Sequence, residues 1–152
     1  MEGKQVELIL TEFLKPRGFR KNAQTWYRKT AAGLQLLNLQ RSSHGAQYYV
    51  NLAFVPEGMP SDSPPKEHRC PVRIRLTSAM PESARPQTEL LFDLEQTAVA
   101  DHDREAGIGK LLDDAVMPFL DDVARMGLKA SIAQGMFKRG MVDGDAEQFL
   151  RL

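Results

Sequence analysis

Four groupings in this sequence bring titratable or nucleophilic side chains close enough along the chain to suggest chemistry. His68-Arg69-Cys70 sets an imidazole two residues from a thiol. A cysteine nucleophile needs a base to take its proton and a third group to orient that base. None stands nearby, so a buried, inert Cys70 is expected. Asp101-His102-Asp103 offers oxygen and nitrogen ligands, but a metal site needs three or four, and nothing adjacent completes the set. Acids in this position suit the first turn of a helix, where they complement its dipole. Gly107-Ile108-Gly109-Lys110 has the glycines and lysine of a phosphate loop. The P-loop spacing, however, demands glycine where Arg104 stands and Ser or Thr where Leu111 stands. Asp113-Asp114 and Asp121-Asp122 fall on one helical side, since eight residues at about 100° each bring Asp113 and Asp121 to within about 80°. Such acids on an amphipathic helix ordinarily face water rather than act as an acid/base pair. The sequence therefore predicts no catalytic residue, no cofactor and no metal ligand.

Recognition chemistry is better represented. Thr25–Lys29, Leu34–Arg41 and Gln47–Val55 are rich in aromatic and aliphatic residues and are separated by Ala31-Ala32-Gly33 and by Ser42-Ser43-His44-Gly45-Ala46. These features predict a three-strand meander. Centring the second hairpin between His44 and Gly45 pairs Leu39 with Val50, Asn38 with Asn51 and Leu37 with Leu52. Alternation then puts Leu37, Leu39, Val50, Leu52 and Phe54 on one side, and Asn38, Gln40, Tyr49 and Asn51 on the other. A two-residue turn at Ala32-Gly33 adds Trp26 and the charged Arg28 to the apolar side, and Tyr27 and Lys29 to the polar side. Val72–Thr77 alternates as a fourth strand, contributing Val72, Ile74 and Leu76 to the core and Arg73 and Arg75 to the polar face. The candidate binding face is thus Tyr27, Lys29, Asn38, Gln40, Tyr49, Asn51, Arg73 and Arg75. Tyrosine and arginine suit recognition because a rigid ring and a planar donor fork give contact at low entropy cost.

Helices must frame this sheet. Val6, Ile9, Leu10, Phe13 and Leu14 make an apolar stripe over residues 4–15, closed by Pro16 and Gly18. Residues 56–71, with five prolines, predict an irregular exposed loop. Glu89–Leu94 reads as a weaker fifth strand. Beyond Asp101 the period becomes helical, with Leu111, Leu112, Ala115, Val116, Phe119, Leu120 and Val123 on one stripe and Pro118 as a kink or a second start. Asp143 or Asp145 is placed to cap a last short helix. The fold class expected is α+β: an N-terminal helix, an antiparallel sheet of four or five strands and C-terminal helices, in one domain over 1–152.

The 152 residues are 42% hydrophobic and 26% charged, with zero net charge and one cysteine. That composition predicts a packed core and excludes an intramolecular disulfide and a C-x-x-C motif. No stretch approaches 18 apolar residues, and the first residues lack a signal peptide's pattern, so a cytoplasmic protein away from membranes is expected. Charge is uneven. Residues 1–75 carry 12 Lys/Arg against 6 Asp/Glu, and residues 76–152 carry 8 against 14. Either the halves neutralise each other or the first half presents a basic surface.

Several stretches resemble a bacterial family known only as domain of unknown function 4304. They are Leu14–Lys21 leading into Thr25–Arg28, then Asn38–Ser42, Tyr48–Leu52, Arg73–Leu76 and Pro118–Asp121. The resemblance, over about residues 6–125, implies an α+β fold. Analogy with small domains of that kind suggests an immunity-type protein of a bacterial toxin system. The function expected is a non-enzymatic module recognising a protein partner through the polar face. The alternative is a nucleic-acid binder in which Tyr27 and Tyr49 stack bases while Lys29, Arg73 and Arg75 meet phosphate. A sequence pI near 6.8 argues against that alternative.

Overall fold

The structure, a computed structural model, describes residues 1–152. Helix α1 (Gly3–Leu14) opens on a reciprocal capping box between Glu2 and Gln5 and buries Val6, Leu10 and Leu14. Pro16 then tightens the chain into a single 3-10 turn, and Gly18, at φ 89°, reverses it into the sheet. Six antiparallel strands follow one another in space in chain order: β1 (Arg20–Asn22), β2 (Thr25–Thr30), β3 (Gly33–Arg41), β4 (Tyr48–Pro56), β5 (Val72–Arg75) and β6 (Met141–Val142). Short β1 and two-residue β6 limit the edges that could template further pairing. The β3–β4 register pairs Leu37 with Leu52, Asn38 with Asn51 and Leu39 with Val50, as the centred hairpin predicted.

Three expectations need correcting. The β2–β3 turn is Ala31-Ala32, with Thr30 opposite Gly33, so Trp26 faces Leu37. That pairing lies two residues from the one implied by a turn at Ala32-Gly33, and because the slip is even every side chain keeps its expected face. Glu89–Leu94 is not a strand. It lies mostly in helix α2 (Arg85–Phe92), which begins with Pro86 in its first turn and buries Thr88 and Phe92, four residues apart on one side. The third concerns residues 56–71, which are irregular but not simply exposed. Pro65, Cys70 and Pro71 are buried against the sheet.

Asp101 and Asp103 do open a helix, α3 (Asp101–Leu111). It runs through a π-helical turn at Leu112–Val116 into α4 (Met117–Met126). The widened turn precedes Pro118, which has no N–H to offer an ordinary helical bond. Helices α5 (Leu128–Ala133) and α6 (Gly144–Leu150) complete the chain, and Asp143 caps the latter by accepting from Ala146 N at 2.8 Å. Arg104 is fully buried. It donates to the carbonyls of Leu90, Leu91 and Gln96 at 2.6–2.9 Å, tying the end of α2 and its following loop to α3.

One large core joins the sheet's apolar face (Trp26, Leu37, Leu39, Val50, Leu52, Phe54, Val72 and Ile74) to buried residues of α1, α3, α4 and α5. Phe54, Phe119 and Phe137 meet edge-on within it at centroid distances of 5.2 and 5.6 Å. Trp26 donates Nε1 to Thr11 Oγ1 of α1 at 3.1 Å, so its polar atom is satisfied inside the core. Arg28 also lies on this side, and its partners explain how it is tolerated. Its Nη2 donates to Gln35 Oε1 at 2.7 Å and to Asp121 Oδ1 at 3.0 Å. Gln35 in turn donates to the Leu120 carbonyl at 2.7 Å. Asp113, the other acid on that side, pairs with Arg17 at 3.6 Å. Two of the acids that the helix pattern singled out thus meet bases of the first half.

Three variants test this packing by equilibrium denaturation. Trp26→Ala lowers stability by about 3–5 kcal/mol, the usual cost of removing a large buried aromatic. Gln35→Leu leaves the Arg28 guanidinium short of an acceptor and costs about 1–3 kcal/mol. Asp121→Asn, at an exposed partner, costs under about 1 kcal/mol. A larger loss for Asp121→Asn than for Gln35→Leu would show that the ion pair, not the buried amide, anchors α4.

Candidate binding face

The second face of the sheet is built in cross-strand rows, because directly paired residues of neighbouring strands point the same way. Going along the strands, one row is Lys29, Leu34 and Val55. The next is Tyr27, Leu36, Ala53 and Arg73, followed by Thr25, Asn38, Asn51 and Arg75. Gln40 and Tyr49 form the last. All eight predicted residues are therefore on one side of the sheet, yet they do not form one surface. The proline-rich segment lies over the first two rows and closes a small second core of Leu36, Ala53, Val55 and Cys70, with Tyr27, Leu34 and Met59 packed against it. Tyr27 donates to the Pro65 carbonyl at 3.0 Å. Arg73 donates to the His68 carbonyl and lies 3.9 Å from Glu67 Oε1. These two residues fasten the loop, and Lys29 is left exposed at its margin.

Sequence reasoning missed this second core, although a signal was present. Leu36-Leu37 and Leu52-Ala53-Phe54-Val55 are unbroken apolar runs, the mark of strands buried on both faces rather than one.

The third and fourth rows are joined by side-chain hydrogen bonds; within them Gln40 and Arg75 are exposed, Asn38 and Tyr49 half-buried, and Thr25 and Asn51 buried. Arg75 Nε donates to Asn51 Oδ1 at 3.3 Å, and Asn51 Nδ2 donates to Asn38 Oδ1 at 3.3 Å. Asn38 Nδ2 passes the direction on to Thr25 Oγ1 at 2.9 Å. Gln40 Oε1 accepts from both Asn51 Nδ2, at 2.9 Å, and Arg75 Nη2, at 3.2 Å. The Arg75 guanidinium lies over the Tyr49 ring, 4.3 Å from its centroid. Three successive strand spacings make the Arg75–Thr25 row roughly 14 Å long. Beside it, where the sheet meets the loop, runs an open groove of about 610 Å³ whose lining includes Thr25, Tyr27, Asn38, Gln40, Lys66, Glu67 and His68. Its volume is in the range of ligand clefts, but the lining is polar where small-molecule clefts are mainly apolar.

No group of three or more His, Cys, Asp or Glu side chains converges as metal ligands would. Burial, followed by the nearby Glu67 carboxylate, pushes the Cys70 thiol from its ordinary value of 9.0 to about 12, while its Sγ lies 3.4 Å from the Lys66 carbonyl. Burial also raises the Tyr27 phenol above 10.0. Gly107 sits within α3, close against Leu91, so the glycine–lysine stretch is a helix-packing feature. No helix of the chain is long and apolar enough to cross a membrane.

A six-stranded antiparallel sheet, with helices packed on one face and a loop-roofed, partly open polar face on the other, defines an α+β protein. The chain belongs to the family described as Domain of unknown function (DUF4304), whose model matches residues 10–122, a span that contains every residue of the face. No curated protein and no solved structure matches it.

Cys70 gives this geometry a chemical readout. In the native protein at about pH 8 its alkylation by iodoacetamide runs at least roughly a hundredfold slower than in denaturant, because the attacking species is the thiolate. The thiol's folded value is raised, so its contribution to stability is complete below 9.0 and is lost as pH climbs toward 12. Wild-type protein should accordingly lose more stability than Cys70→Ala between about pH 8 and about pH 10.5 in urea titrations. Equal losses would place the thiol outside the second core.

Proposed function

We propose that this protein is a non-enzymatic binding module that holds a protein partner on the open half of its sheet face, through the Tyr49–Arg75–Asn51–Gln40 network. The observation that carries this reading is a set of pre-positioned polar and aromatic side chains beside an open groove, with no titratable constellation suited to catalysis. Arg75 is held by two hydrogen bonds and a ring, so little side-chain entropy remains to be lost on binding. An immunity-type role toward a toxin domain is one form such recognition could take.

The nucleic-acid alternative fares less well on the same geometry. Base stacking needs a free aromatic face. Arg75 lies over Tyr49, and Tyr27 is tied to the loop through Pro65. Arg73 is engaged by the loop as well, which leaves few bases on this side for a phosphate backbone.

Capture from a native extract on immobilised protein, identification by mass spectrometry and titration of the purified partner test this reading. The Tyr49→Ala, Arg75→Ala double variant is expected to weaken that binding by about 2–4 kcal/mol, as truncation of aromatic and arginine anchors does. Its own stability should change by less than about 1 kcal/mol. Unchanged affinity rejects the face as the site, and large destabilisation rejects the view that its open half is free for a partner.

A further inference from the structure

Hydrogen-bond accounting on the open rows shows which kind of partner they can take. The side-chain oxygens are already used: Gln40 Oε1 accepts twice, and Asn51 Oδ1, Asn38 Oδ1 and Thr25 Oγ1 each accept once. Every bond in the chain points away from Arg75, so the exposed end of the network is left with donors. Gln40 Nε2 donates to nothing within the protein, and Arg75 keeps Nη1 and the second hydrogen of Nη2. The latter form the end-on pair of a guanidinium that takes a carboxylate bidentately. Arg75 and Lys66 have no carboxylate within ion-pair distance, whereas Arg17, Arg28, Arg73 and Lys21 each have one. The exposed end of the network therefore offers donors and the charge of Arg75, with Lys66 in the lining of the groove beside it; Glu67, the one carboxylate of that lining, is turned to Arg73.

We propose that the partner contributes an acidic segment, one carboxylate of which is gripped by the free edge of Arg75 with the Gln40 amide beside it, while Lys66 meets a second acid across the groove. This rests on the reading of the face as a protein-binding surface and names its ligand chemistry. A basic segment would meet the unpaired charges of Arg75 and Lys66, and a neutral amide offers the guanidinium neither a charge nor a bidentate acceptor. Tyr49 keeps the guanidinium flat, so the fork is formed before the partner arrives.

The test is a titration of 15N-labelled protein, followed by NMR, with three probes to millimolar concentration: the capped pentapeptide acetyl-Glu-Asp-Glu-Asp-Glu-amide, its acetyl-Gln-Asn-Gln-Asn-Gln-amide counterpart, and a five-nucleotide single-stranded RNA. The acidic peptide is expected to shift the side-chain resonances of Gln40, Asn51 and Arg75, and to bind at least about tenfold more tightly than the neutral one. Arg75→Ala should lower its affinity about tenfold, with Arg75→Lys in between because an ammonium has no fork. Gln40→Leu, which without changing charge removes the free donor and the oxygen that accepts from Arg75 and Asn51, should lower it at least about threefold. Melting curves accompany each variant, and the Gln40 change keeps the question open to measurement should an Arg75 variant unfold. No shift on this face, or equal binding of the two peptides, overturns the acidic-segment proposal. A captured partner still lost with the Tyr49 and Arg75 changes would then leave the broader reading standing. Tighter binding of the RNA at the same residues overturns both.

Discussion

Gln35 points into the core from near the start of β3, and its amide is used in both directions. The nitrogen donates to a backbone carbonyl of α4, and the oxygen accepts from Arg28 on the neighbouring strand, which reaches on to Asp121 of the same helix. A buried amide left unpaired would cost a large part of a small protein's stability, so α4 is held at one height over the sheet. The position of α4 decides much else. Phe119 comes against Phe54 and Phe137, and the acidic helical half of the chain is committed to the apolar face.

The opposite charges of the two halves follow from this arrangement. Arg28 meets Asp121 across the helix–sheet interface and Arg17, in the turn after α1, meets Asp113, so part of the basic surplus of the first half is neutralised internally. Because these pairs are partly exposed, they add little stability. On the second face Arg73 is held by the loop, and Arg75, lying over Tyr49, is the base held in a fixed orientation.

The second face divides in the same physical way. Where β3 and β4 carry apolar residues outward, the proline-rich segment must cover them, and it does so with Pro65 and Cys70 buried and with Tyr27 and Arg73 as fastenings. Where they carry Asn38, Gln40, Asn51 and Tyr49 outward, no cover is needed. The boundary between roof and open sheet is the groove. Polar side chains sit there because the same strands switch from leucine and alanine to amides over two residues.

The sequence by itself determined the local and periodic features. The apolar stripe and Pro16 defined α1, and the short turn between β3 and β4, together with alternation, fixed the register to the residue. The same alternation assigned all eight face residues to one side even though the β2–β3 turn was misplaced, because side-chain direction depends only on whether the offset is odd or even. What the tertiary structure alone decided was which positions are engaged by segments distant in sequence. Glu89–Leu94 became a helix because Thr88 and Phe92 pack into the core and Arg104, far along the chain, grips its final carbonyls. Tyr27 and Arg73 left the accessible site because the loop folded back over them. Whether a side chain is free or held depends on how the chain folds back on it, over 38 residues for Tyr27 and Pro65 and over five for Arg73 and His68, and hydrophobic periodicity carries no record of that.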